Sequence, residues 1–75
     1  MKENLLRGKI VEKGFNIENF CREAGFVRST FDRKLNGQTE FDRAEIDTII
    51  NVLNLSDEEL RNIFFTKVVA KNSNN

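Results

Sequence analysis

The sequence predicts an all-α domain of five short helices, and three features of its 75 residues lead there. Apolar residues recur at helical spacing, and nowhere do β-branched residues alternate with polar ones as a strand requires. Capping signals open several of the helical stretches, and glycine or Asn-Gly closes them. No proline interrupts the chain.

Leu6 and Ile10 mark the first helix, which ends at Gly14, a residue suited to a left-handed C-terminal cap. The second is expected from about Ile17 to Ala24, stopping at Gly25. Asn16 is its cap, with Phe15 and Phe20 placed as an apolar pair across the start. The third spans about Arg28 to Leu35, within "GFVRSTFDRKLNG", and ends at Asn36-Gly37. Phe26 and Phe31 bracket its start in the same way, but Val27 holds the capping position. Valine cannot accept the free N–H groups of a first turn, so relative to serine it costs about 1 kcal/mol. Either those N–H groups face water, or an apolar group is wanted at the helix tip, against a thymine methyl or an apolar patch on a partner.

The fourth helix begins at Phe41-Asp42-x-x-Glu45-Ile46, a capping box inside a hydrophobic staple. It carries Ile46, Ile49, Ile50 and Leu53 on one face. Leu55-Ser56-x-x-Glu59-Leu60 repeats that pattern and opens the fifth, which carries Leu60, Ile63 and Phe64. This helix is expected to run on to about Ala70, giving a domain over residues 1–70 and a disordered polar tail over 71–75.

Seventy-five residues make one small domain near the lower limit for a self-sufficient core. One Cys and no His leave neither a disulfide nor a zinc-ligand pattern to reinforce it. Seven Phe, with no Trp or Tyr, suit a core that needs no buried hydrogen-bond partners. Cys21, next to Phe20, is expected to be a small buried hydrophobe. No segment is long and apolar enough for a signal peptide or a membrane span, so a cytoplasmic, reducing location without membrane contact is expected. Twelve basic and twelve acidic side chains cancel, which argues against a nonspecific nucleic-acid coat. Residues 1–43 carry nine Lys/Arg against seven Asp/Glu, and residues 44–75 carry three against five. The N-terminal half is therefore the side that a polyanion would meet.

The connection Gly25-Phe26-Val27 is too short for anything but a steep crossing of helices two and three, as in a helix-turn-helix. Phe20, Ala24, Phe26, Phe31 and Leu35 would fill the angle. Arg28, Ser29, Asp32 and Arg33 would share the outward face. Alone, these charges could be a solvated face, with Arg28–Asp32 an ordinary i, i+4 pair worth a few tenths of a kcal/mol.

The string "KGFNIENFCREAGFVRSTFDRKLNG" resembles the DNA-binding unit of the phage repressor and Cro family of helix-turn-helix proteins. The landmarks are Gly14, Phe20, Cys21 in the usual Ala place, Gly25, Phe31 and Asn36-Gly37. The following "FDRAEIDTIINVLNLSDEEL" is similar to the family's last two helices, so the likeness covers about residues 5 to 65. It is nearest to small lysogeny-module regulators of Gram-positive phages. It implies a five-helix, lambda-repressor-like fold whose third helix lies in the major groove. Arg28 and Ser29 match its first base-reading positions, Arg33 a later one, and Asn36 a phosphate-contacting one. Asp32 would accept from cytosine or hold an arginine in place, and Gln38 and Thr39 would contact phosphate. The sequence departs from the family at Ile17, where many members have Gln, and at Val27, where many have Ser. Both replace a DNA-facing polar group with an aliphatic one, and together they read as an exposed apolar pair suited to a protein partner.

Two functions follow from that resemblance. One is a phage-type transcriptional regulator that binds operator DNA and takes part in the lysis/lysogeny switch. It would act as a homodimer on a two-fold site, with Phe64, Phe65, Val68 and Val69 as the self-association surface. The other is a modulator of repression that docks on a neighbouring phage repressor through Ile17 and Val27. An enzyme is not expected, because no His and no nucleophile–base pair is present, and neither a cofactor nor a metal is implied.

Overall fold

The computed structural model describes residues 3–64, which form five α-helices and, among the described residues, no strand. They are α1 (Glu3–Glu12), α2 (Ile17–Ala24), α3 (Arg28–Leu35), α4 (Arg43–Leu53) and α5 (Asp57–Phe64). The predicted boundaries hold within a residue or two wherever they can be compared. The expected continuation of the fifth helix to Ala70, and the polar tail at 71–75, lie outside the described residues.

The start signals act as their residue types dictate. Asp42 accepts the Glu45 N–H at 2.8 Å while Glu45 accepts the Asp42 N–H at 2.9 Å, closing the capping box of α4. Ser56 and Glu59 exchange the same two bonds at α5. Asn16 accepts the Asn19 N–H at 2.7 Å, so α2 is capped from one side only. Val27 makes no side-chain cap. Instead, the rings of Phe26 and Phe31 lie stacked across the start of α3, with centroids 5.5 Å apart. The staple fixes the entry of the chain where the cap is missing.

The first four helices also close alike. A residue two or three past each end donates its N–H five residues back, from Phe15 to Ile10, Phe26 to Cys21, Gln38 to Arg33 and Leu55 to Ile50. That closure needs a left-handed residue just before the donor. Gly25 supplies it at φ 81°, and Asn54, the one described non-glycine with positive φ, supplies it at φ 54°.

The core gathers residues from all five helices: Leu6 and Ile10, Phe20 and Cys21, Phe31 and Leu35, Ile49 and Leu53, and Ile63, with Leu55 from the last turn. Phe20 is at its centre, with Phe15, Phe26 and Phe31 ringed around it at 5.5–6.1 Å between centroids. Phe31 passes the contact on to Phe41 at 5.7 Å. Cys21 is buried, as its sequence neighbourhood predicts, and burial pushes its thiol above the ordinary value. Helix α2 packs on α1, α3 and α4, and α5 packs on α1. Among the described residues no helix is long and apolar enough to cross a membrane.

Candidate nucleic-acid interface

Helix α3 has a buried side and an open side. Phe31 and Leu35 are anchored in the core; Ser29 and Arg33, four apart, fall on the opposite side of the helix, while Arg28 and Asp32 run along its flank. Arg28, Ser29, Arg33 and Asn36 are exposed, and Asp32 is half-exposed.

Its side chains are not equivalent. Arg28 donates from Nε to Asp32 Oδ1 at 3.3 Å, and its Nη groups make no side-chain hydrogen bond among the described residues. Asp32 accepts this bond as an exposed i, i+4 contact. Arg33 has no ion pair or side-chain hydrogen bond among the described residues. Asn36, at the end of α3, accepts from Arg7 Nη2 of α1 at 3.1 Å. Arg7 was not among the sequence candidates. It joins the edge because α1 passes beside the end of α3, a proximity that no local pattern encodes.

Gln38 and Thr39 follow the end of α3, both exposed. The Gln38 main-chain N–H is already used in closing the helix, so only its side chain is available to a ligand. Arg7, Arg33, Asn36, Gln38 and Thr39 thus offer five polar groups around one helix end, and Arg28 and Ser29 offer two at the other.

The aliphatic pair reads differently from expectation. Val27 is 66% exposed at the tip of α3. Ile17 is half-buried and packs against the core, since the first turn of α2 turns that side inward. The expected exposed pair reduces to one residue. Val27 borders a shallow groove of about 210 Å³ walled by Phe26, Thr30, Phe41 and Glu45. A second groove of about 340 Å³ lies beyond Lys34, lined by Glu3, Thr39, Glu40, Phe41, Ile46 and Phe64. Lys34 separates the two, held by Glu45 at 2.6 and 2.8 Å. Of the residues expected to mediate self-association, Phe64 is half-buried against the core, and Phe65, Val68 and Val69 lie outside the described residues.

The family described as a protein of unknown function (DUF739) matches residues 3–67. No curated protein and no solved structure matches the chain.

Proposed function

The chain belongs to the DUF739 family, and for this member we propose a transcriptional regulator of phage type that reads operator DNA through α3. On this reading α2, residues 25–27 and α3 act as a helix-turn-helix, with α3 laid in the major groove. The observation that carries it is the outward face of α3, where Arg28 is braced by Asp32 and Arg33 is unpaired among the described residues. An arginine fork held in advance loses less freedom when it meets the O6 and N7 of guanine, where a good bidentate pair discriminates by about 1–3 kcal/mol. Arg7, Asn36, Gln38 and Thr39 surround the end of the helix as phosphate contacts, which set register without reading sequence. One such module reads few base pairs, so a homodimer on a two-fold site is the working form, in the cytoplasm of a bacterial host.

A second reading rests on Val27. An exposed valine at a capping position, beside a groove with aromatic walls, suits an apolar side chain of a protein partner. The partner would be the repressor encoded alongside it.

One experiment separates the two. DNA from the protein's own operon is titrated at several salt concentrations, and the neighbouring repressor is tested for co-purification, with Arg28→Ala/Arg33→Ala and Val27→Ser variants. DNA reading predicts salt-sensitive binding that the arginine variant loses and Val27→Ser keeps. Docking predicts that Val27→Ser releases the repressor while the arginine variant retains it. Absence of salt-sensitive binding anywhere in the operon sinks the first reading.

A further inference from the structure

Asn36 is the one asparagine of the chain followed by glycine, and both residues are exposed at the end of α3. An asparagine side chain can close on the next backbone nitrogen to form a five-membered imide. A bulky side chain on the following residue hinders that approach, and glycine has none. The other described asparagines, Asn51 and Asn54 among them, precede Val, Leu, Ile or Phe.

The fold holds the reacting atoms apart. Closure needs the Gly37 nitrogen on the same side of the Asn36 Cα as its Cβ. At the Asn36 ψ of 0° that nitrogen instead eclipses the Asn36 nitrogen. The Gly37 N–H is donated to the Lys34 carbonyl at 3.1 Å. Gly37 at φ 86°, and the Gln38 N–H on Arg33 at 2.9 Å, fix the turn beyond it. Helix α1 restrains the pair from outside. Arg7 Nη2 donates to Asn36 Oδ1 at 3.1 Å and holds the side-chain amide against α1. Glu3, one turn before Arg7, has its Oε2 3.7 Å from where a Cβ on Gly37 would stand. A carboxylate there opposes loss of the Gly37 amide proton, which would leave a second negative charge beside it.

We propose that Asn36-Gly37 is a self-modification site and that Arg7 is the residue that keeps it closed. When the end of α3 opens locally, the Gly37 nitrogen loses its proton and attacks Asn36 Cγ. The N–Cγ bond forms, the Cγ–Nδ2 bond breaks, and the leaving nitrogen takes up a proton to depart as ammonia. Water then opens the imide at either carbonyl, giving aspartate or isoaspartate. One water is consumed, one ammonia is released, and nothing is oxidised or reduced. The product carries a negative charge beside Arg7 where Asn36 had none. In the isoaspartyl form the main chain is one carbon longer, so the two bonds that close α3 no longer fit together. If α3 reads DNA, the new charge stands among its phosphate contacts, but the modification does not rest on that reading.

The test ages the full chain at neutral pH, counts the deamidated Asn36 peptide by mass spectrometry, and labels isoaspartate with a methyltransferase. In urea, Asn36 should convert ahead of every other described asparagine, and Gly37→Ala should slow it. In the native protein conversion should be slower by about tenfold or more, because it waits on local opening. Arg7→Ala, which keeps a good helix former in α1, should speed native conversion about fivefold, the ratio set by one ordinary hydrogen bond. Ile49→Val, which loosens the core away from the site, should age like the parent. An Arg7→Ala protein that converts no faster than the parent would overturn the proposal, and a slower one would make the guanidinium a promoter of the attack. Ile49→Val ageing as fast as Arg7→Ala would assign conversion to global unfolding and overturn it too. No conversion at Asn36 in urea would remove the site altogether.

Discussion

Glu59 accepts from two directions, and its titration carries a consequence for stability. One oxygen takes the Ser56 N–H at 2.9 Å, closing the cap of α5. The other lies 2.9 Å from the Lys9 ammonium of α1, and Lys13 approaches at 3.7 Å. The Ser56 N–H first, and Lys9 second, hold the carboxyl down at about 2, against an ordinary 4.5. A carboxyl whose pKa is lower in the folded state stabilises fully above its unfolded value, and that contribution fades as pH falls through the folded one. The window is therefore between about 4.5 and 2. Lys9 mirrors it, since the Glu59 and Glu12 carboxylates raise its pKa, so its share is lost only as pH rises past that raised value. Glu59→Gln should lower the urea midpoint at pH 7. The two proteins' midpoints should then converge as pH is taken from 4.5 to 2. A gap that stays constant over that range would show that the charge on Glu59 contributes nothing.

Between elements, the same device recurs, and only half of it is visible in the sequence. Both capping-box glutamates, Glu45 and Glu59, also receive a lysine from another helix: Lys34 of α3 in the first case, Lys9 of α1 in the second. The capping boxes could be read from sequence because their partners are three residues apart, a spacing the helix start itself imposes. The staples Phe15–Phe20 and Phe26–Phe31 were legible for the same reason, and ring contacts bear both out. The lysines were not, because which helix lies beside which is decided by packing of the whole core. The Arg7–Asn36 bond is hidden from local sequence for the same reason, and Ile17 is more buried than its position predicts. The buried side of α3 was legible from Phe31 and Leu35, and the periodicity puts Ser29 and Arg33 opposite it. The Lys34–Glu45 pair ties α3 to α4 with side chains only 16% and 24% exposed. That places it between a surface pair and a buried one, and a coupling energy of about 1 kcal/mol is expected. A double-mutant cycle with Lys34→Ala and Glu45→Ala measures it, because the cap lost with Glu45 cancels in the cycle. A coupling below about 0.3 kcal/mol would reduce the pair to a surface contact.

For the molecule as a whole, α3 combines a buried side that joins the core with an exposed one. Phe31 touches three other rings, Phe20, Phe26 and Phe41, so it joins α2, the turn and the approach to α4 in one contact network. A domain of this length has a total stability of roughly 4–11 kcal/mol. Trimming Phe31 to leucine removes ring–ring contacts worth about 0.5–1.5 kcal/mol each and leaves part of its volume empty. Phe31→Leu is expected to lower stability by about 1–3 kcal/mol, with a fall of several degrees in the thermal midpoint for each kcal/mol. On the opposite face, Arg33 is exposed and unpaired among the described residues, so Arg33→Ala should leave the midpoint within about 0.5 kcal/mol. If α3 lies against DNA, the effects on binding reverse. At a temperature where both variants remain folded, Phe31→Leu should keep the slope of log affinity against log salt. Arg33→Ala should flatten it by about 0.9 if the side chain neutralises a phosphate. If it reads a base instead, affinity should fall about 5- to 150-fold on the preferred site and much less on unrelated DNA, since the lost contact is worth about 1–3 kcal/mol. An Arg33→Ala protein that binds like the parent on both DNAs, with an unchanged slope, would remove this face from the interface while leaving the five-helix core as described.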